Sequence, residues 1–238
     1  MRVLIISDLH YDHKICKSVD ESKAWSWLMS IVDHHKPDLL LSCGDWGTAI
    51  THEKFYDLLG KCVVLTIYGN HENVNVLKSL YNVKTNEHLP VLMKDGEIYE
   101  FDGLKIAGIN GIISERKKSR KGVPRKRPEE YLKVANTLAS KNIDILLIHE
   151  VPLILPLFNI TDTTSSRVTL EAIKIIRPKL VVNGHMHARF KYYEFSFNTR
   201  YVNIDSSQAS RYYVIIKVNG HKKIEVWKDY EIREVLGS

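Results

Sequence analysis

Cysteine is scarce in this chain. Three thiols among 238 residues, Cys16, Cys43 and Cys62, form no Cys-x-x-Cys pair. An odd count without that spacing excludes a disulfide framework and a cysteine-rich zinc site, and leaves the thiols as packing residues in a reducing compartment. Long apolar runs are missing too. The first, residues 3–6, stops at Ser7 and Asp8. That is too short for a signal-peptide core or a membrane span, so a cytoplasmic protein is expected. No internal repeat or low-complexity linker divides the sequence, which reads as one domain over residues 1–238.

Acidic side chains are absent from one stretch. Residues 116–127 carry eight Lys and Arg and no Asp or Glu. Taking those eight from the chain's 34 basic residues leaves 26 against 28 acidic ones, so the net charge of +6 belongs to that segment and not to the whole surface. What the chain does have is apolar side chains, 44% of the total. That is enough for a core, and it excludes disorder, collagen-like repetition and a coiled coil.

Short runs of Val, Ile and Leu recur at 3–6, 39–41, 63–67, 143–148 and 180–182. Near-continuous apolar runs of this length are strands buried on both faces. Helical patterns lie between them. Trp25, Leu28, Ile31 and Val32 share one face of 22–35, a proline and two glutamates open 128–140, and a serine cap precedes Leu170, Ala172, Ile173 and Ile176 in 166–176. Strands alternating with helices predict a largely parallel α/β sheet. Hairpins across Asp102-Gly103 and Asn219-Gly220 add antiparallel strands, because those dipeptides accept the positive φ of tight turns.

The residues that follow each run carry the chemistry. Asp8-Leu9-His10, Gly44-Asp45, Gly69-Asn70-His71-Glu72, His149-Glu150 and Gly184-His185-Met186-His187 come after the five strands in turn. Parallel strands open their carboxyl ends on one edge, so five polar motifs are expected in one crevice. The donors are carboxylates, an amide oxygen and imidazoles, with no thiolate, which suits Mn, Fe or Zn and not Ca or an iron–sulfur cluster. Seven candidate ligands exceed what one ion with an open position takes, and fit two ions sharing a carboxylate. Singly, His149 reads as a core histidine and Asp45 as a turn residue; membership of the ordered set reverses both readings. His13, His34, His35, His52, His88 and His221 match no motif and receive no role.

These five motifs, in this order from residue 8 to residue 187, resemble the calcineurin-like metallophosphoesterases. The resemblance implies a four-layer α/β/β/α sandwich of two mixed sheets flanked by helices, with residues 202–204, 212–218 and 222–227 supplying much of the second sheet. It implies that Asp8, His10, Asp45 and His187 hold one divalent ion, and that Asp45, Asn70, His149 and His185 hold the other, with Asp45 as the bridge. Manganese is the first expectation, and Fe, Zn, Ni or Co also suit the donors. A metal-bridging hydroxide is then the nucleophile, and His71 protonates the leaving oxygen. Glycines 44, 69 and 184 are expected where backbone must approach the metals closely.

The expected activity is hydrolysis of a nucleotide or nucleic-acid-derived phosphodiester. A phosphoprotein phosphatase or other monoesterase is an alternative, but that branch continues as Gly-Asp-x-x-Asp-Arg-Gly, where this chain has Gly44-Asp45-Trp46-Gly47-Thr48-Ala49-Ile50. A partner that orients His71 is thus left unidentified. An SbcD-type nuclease is a second alternative, although only about fifty residues follow the last motif. A retromer-type scaffold ranks last, because every ligand position keeps a competent residue. Arg116, Lys117, Lys118, Arg120 and Lys121 are candidate contacts for a nucleotide or single-stranded nucleic acid, with a solvated loop as the bland alternative. Trp46 and Tyr11 read as packing residues before base-stacking ones. No membrane partner is expected, and the oligomeric state, a homodimer included, stays open.

Overall fold

Along β1 (Arg2–Ile6), Leu4 and Ile6 turn to one side and Val3 and Ile5 to the other, and all four are fully buried. A strand that is apolar on both faces needs a layer on each side of its sheet. The computed structural model supplies both, and describes residues 1–16, 18–85, 88–116, 119–120, 122–155, 157, 161–219 and 221–236. In chain order, β2 (Ile15–Cys16) and β3 (Val19–Asp20) form a small ribbon, followed by α1 (Ala24–His35), β4 (Leu39–Ser42), α2 (His52–Leu59), β5 (Val63–Thr66) and α3 (Val74–Ser79). The hairpin β6 (Ile98–Phe101) and β7 (Leu104–Ile109) precedes α4 (Pro128–Leu138), β8 (Ile145–Ile148), α5 (Thr164–Ile176) and β9 (Leu180–Asn183). Five strands end the chain: β10 (Phe190–Glu194), β11 (Arg200–Ile204), β12 (Tyr212–Asn219), β13 (His221–Lys228) and β14 (Glu231–Leu236).

Two mixed six-stranded sheets result, ordered β14-β13-β12-β1-β4-β5 and β10-β11-β9-β8-β7-β6. Three apolar interfaces separate four layers. Leu4, Ile6, Leu40 and Val64 pack on Leu28 and Ile31 of α1 and Phe55 and Leu58 of α2. Val3, Ile5, Leu39, Leu41 and Leu65 meet Ile106, Leu147, Val182 and Ile204 between the sheets. Leu146, Ile148 and Val181 cover Tyr131 and Ala135 of α4 and Ala172 and Ile173 of α5. Fully burying each such side chain stabilises the fold by about 1.5–3 kcal/mol. This is the expected α/β/β/α sandwich.

Three details differ from the sequence reading. Residues 202–204 do not share a sheet with 212–218 and 222–227: β11 lies parallel beside β9, whereas β12 runs antiparallel to β1. Which strand a β-segment joins is a long-range matter that the short connection 205–211 leaves open. Helix α5 is capped at Thr163, whose Oγ1 accepts from the Ser166 N–H at 3.2 Å, and not at a serine. The structure also contains α2, α3, β2, β3, β10 and β14, which the sequence reading does not include; α2 has a clear apolar face of Phe55, Leu58 and Leu59, whereas the others are too short or too polar to show one. The helix ends are legible: α1 and α5 both stop at a left-handed residue, Lys36 and Arg177, each followed by proline.

Among the described residues no helix is long and apolar enough to cross a membrane. One buried histidine couples the fold to pH. His35, 5% exposed, donates from Nε2 to the Tyr213 hydroxyl at 2.8 Å, whose own hydrogen goes to the Asp229 carbonyl. Burial holds its imidazole down at about 4, against the ordinary 6.5. Below pH 6.5 the unfolded chain takes a proton that the folded chain refuses until about 4. Stability therefore falls as pH drops through that window. Urea unfolding at pH 7 and pH 5 should show a smaller loss for His35→Gln than for the parent; an equal loss would clear His35 of this role.

Candidate metal centre

The exits of β1, β4, β5, β8 and β9 share one edge of the sandwich, and the backbone there is strained. Asp8 (φ 56°), His10 (51°), Asp45 (58°), His185 (69°) and His187 (46°) all take the left-handed conformation. For residues other than glycine this costs about 1–3 kcal/mol each, and such residues cluster where function needs an aimed side chain. Hydrogen bonds between loops hold the strain in place. The Asp8, His10 and Tyr11 N–H groups donate to the Gly44, Asp45 and Trp46 carbonyls at 3.0, 2.9 and 2.8 Å. The Glu72 carboxylate accepts from the Asp45, Trp46 and Gly69 N–H groups at 2.6, 3.2 and 3.1 Å, joining the β4 and β5 exits. Space is short here. A Cβ on Gly69 would lie 2.1 Å from Asp45 Oδ1, and one on Gly184 would lie 1.8 Å from Ser7 Oγ.

All seven candidate donors come together. One ligand atom from each of Asp8, His10 and His187 lies within 4.8 Å of the others, and Asp45, His149 and His185 form a second such group. Asp45 Oδ2 stands between the groups, 3.6 Å from His10 Nε2 and 3.4 Å from His149 Nε2. Asn70 Oδ1 and His185 Nδ1 each lie 3.2 Å from His149 Nε2, which brings the amide into the second group. The first group fits a cation on an independent observation: Asp8 Oδ1 and His10 Nε2 are buried without a hydrogen-bond partner. Buried polar atoms in that state call for a ligand. The absence of sulfur donors fits first-row dications.

Other side chains aim the donors. The His149 ring holds Nδ1 2.8 Å from the Cys43 carbonyl, which leaves Nε2 facing the site. His187 Nδ1 lies 3.6 Å from Asp205 Oδ1, and Ser7 Oγ donates to Asp8 Oδ2 at 2.7 Å. The sequence reading missed Asp205, although a usable signal was present, since Asp205 follows a buried strand as Asp8 does. It also gave Glu72 no role. His71 is exposed, its ring centre 5.3 Å from that of His10, and its N–H donates to Asp45 Oδ1 at 2.7 Å. It belongs to neither donor group. Trp46 and Tyr11 are buried and pack in the core beneath the site. Arg116 and Arg120 are exposed; Lys117, Lys118 and Lys121 lie outside the described residues.

The charges are mutually dependent. Burial raises the Asp45 carboxyl, but His149 and His10 outweigh it and hold it far below the usual carboxylate range. Burial likewise depresses the His149 imidazole, yet Asp45 and Asp8 reverse that and hold it up at about 10. His185 is pushed down to about 4 by burial and by His149. Without a cation the site therefore keeps a proton on His149 between two carboxylates.

A model of the calcineurin-like phosphoesterase family matches residues 1–189. The chain belongs to that family. Family members bind two divalent metals and hydrolyse phosphoesters, and this chain is a metal-dependent phosphoesterase with two candidate metal sites. A dimetal phosphatase from Danio rerio has the same fold, with a TM-score of 0.63 at 10% identity over 98% of this chain and 97% of that one. GAP50, the anchor in the inner membrane complex of Plasmodium, gives 0.59 at 12% over 99% and 87%. The NAD nucleotidase NadN of Haemophilus influenzae gives 0.53 at 16% over 96% and 55%. No curated protein sequence matches the chain.

Two measurements check the centre. Because His149 titrates at about 10 without metal, loading at pH 7 should release a proton. Calorimetry in two buffers of different ionisation enthalpy reads that release, and identical heats would contradict it. Asp205→Asn should weaken metal affinity about 10–100-fold through His187, and unchanged affinity would remove Asp205 from the site.

Proposed function

We propose that this phosphoesterase cleaves phosphodiesters of the nucleotide or nucleic-acid-derived class, as one cytoplasmic domain over residues 1–238. Asp8, His10, Asp45 and His187 would hold one ion, and Asp45, Asn70, His149 and His185 the other, with manganese suited to the donor set. The position of Asp45 Oδ2 between the two donor groups carries the two-ion reading. Ions held by these residues would supply an activated water and would neutralise charge that develops on phosphorus.

The chain's own residues do the rest. Asp45 Oδ1 accepts the Asn70 and His71 N–H groups at 2.5 and 2.7 Å, which fixes the loop that carries the acid. His71 stands at the mouth of the crevice beside His10, where it can donate a proton to the leaving oxygen. The preference for a diester rests on Ala49. A phosphomonoester dianion carries an extra charge, and the arginine that meets it in the protein phosphatase pattern is replaced here by Ala49. A nucleotide-type substrate is in keeping with the NAD nucleotidase and the 5'-nucleotidase precursor of Thermus thermophilus that share the fold.

Turnover of bis(p-nitrophenyl) phosphate should exceed that of p-nitrophenyl phosphate in Mn²⁺-loaded protein; cleavage of the monoester alone would sink the proposal. His71→Ala should lower kcat by about 10²–10⁴-fold with both ions retained by elemental analysis. Asp45→Ala should lose metal, and a variant that keeps two ions and full activity would refute the shared carboxylate.

A further inference from the structure

Strands β7, β8, β9 and β11 run parallel, so the edge where they begin lies across the sandwich from the edge that carries the metal donors. A cavity of about 280 Å³ opens there between the two sheets. Its walls are Leu104, Ile145 and Leu180, at the starts of β7, β8 and β9, together with Ile216 of β12 and Ile224 of β13. All five belong to the inter-sheet cluster and are 2–5% exposed. The cavity is thus an opening into the apolar core, close to the lower size limit of about 300 Å³ for small-molecule pockets.

The rim is polar. Lys179 Nζ lies 2.9 Å from Asp144 Oδ1, and Asp144 Oδ2 accepts the Lys105 N–H at 3.0 Å, so these two charges compensate each other. Arg200 has no such counterpart. On β11 it alternates with Val202 and Ile204, which face the other sheet, and its side chain therefore leaves the strand on the inter-sheet side. Glu194 stands opposite it in the register with β10, but that carboxylate accepts the Tyr192 hydroxyl at 3.2 Å. Among the described residues no carboxylate forms an ion pair with Arg200, and none engages the side-chain amide of Asn198 beside it. A half-buried guanidinium at the mouth of an apolar cavity is left with its charge uncompensated. Such a charge favours an anion that can reach it.

We infer that this cavity is a second binding site, separate from the metal centre, for a short aliphatic carboxylate whose chain fills the gap between the sheets and whose carboxylate closes on Arg200 and Asn198. Walls that are aliphatic throughout match a saturated chain and offer no ring for stacking. The planar guanidinium fork pairs a carboxylate through two parallel hydrogen bonds. One uncompensated cation matches one negative charge, whereas a phosphate monoester brings nearly two. The volume admits a short chain and turns away a long one. Because the site lies at the opposite edge from the phosphoester crevice, the inference stands independently of the diester reading.

The test is calorimetric titration of the Mn²⁺-loaded protein with octanoate. Octanoate should bind, and inorganic phosphate, which competes for the ions, should leave that binding unchanged. Octanol has the chain without the charge and acetate the charge without the chain, and each should bind at least about 10-fold more weakly. Arg200→Gln should weaken octanoate by about 10-fold or more, the loss of a charge-assisted pair. Arg200 forms no ion pair, so this replacement leaves the fold intact. Lys174→Gln removes an equal charge from an exposed position on α5 and should bind octanoate as the parent does. No binding by the parent, displacement by phosphate, equally tight binding of octanol or acetate, an unchanged affinity in Arg200→Gln, or an equal loss in Lys174→Gln would each overturn the inference.

Discussion

The buried carboxylate of Asp45 is the constraint on which the other parts of the crevice depend. Its Oδ1 accepts two N–H groups from the loop after β5, and its Oδ2 faces imidazoles from both sheets. A carboxylate 1% exposed is costly unless it is fully compensated. Compensation here takes backbone donors on one oxygen and His10 and His149 on the other. That requirement draws the exits of β1, β4 and β5 together and sets them against the exit of β8. Glu72 completes the clamp from behind, through the Asp45 N–H.

Such an arrangement is strained, and the strain is borne by the sandwich. Five left-handed residues sit within this one edge, each unfavourable on its own. Three apolar interfaces lie beneath them, built from strands that are buried on both faces. The division of labour is a rigid scaffold that stabilises and an edge that aims. Close packing of the exits explains why Gly69 and Gly184 have no room for a side chain.

The candidate metal centre has its candidate donors on both sheets, Asp8, His10, Asp45 and Asn70 on one and His149, His185 and His187 on the other. It therefore exists only when the sheets are packed face to face. The loop after β7 depends on the same packing, since Val123 is buried in the apolar cluster beneath the first sheet while β7 belongs to the second.

Much of the candidate site was legible in the chain because each donor directly follows an apolar strand, and strand exits are read locally from periodicity and composition. The strands, the long helices α1, α4 and α5, and the order of the motifs are local in this sense. The pairing of β11 with β9 and of β12 with β1 was not legible, since sheet membership depends on partners far away in sequence. Nor were Glu72 behind Asp45 or the inward turn of Lys126, because contacts between side chains leave no periodic trace. By itself the sequence determined which residue types stand at which strand ends, and so the kind of chemistry. Only the tertiary structure decided which donors stand together and which polar atoms are left without a partner, because those are distances set by the packing of two sheets.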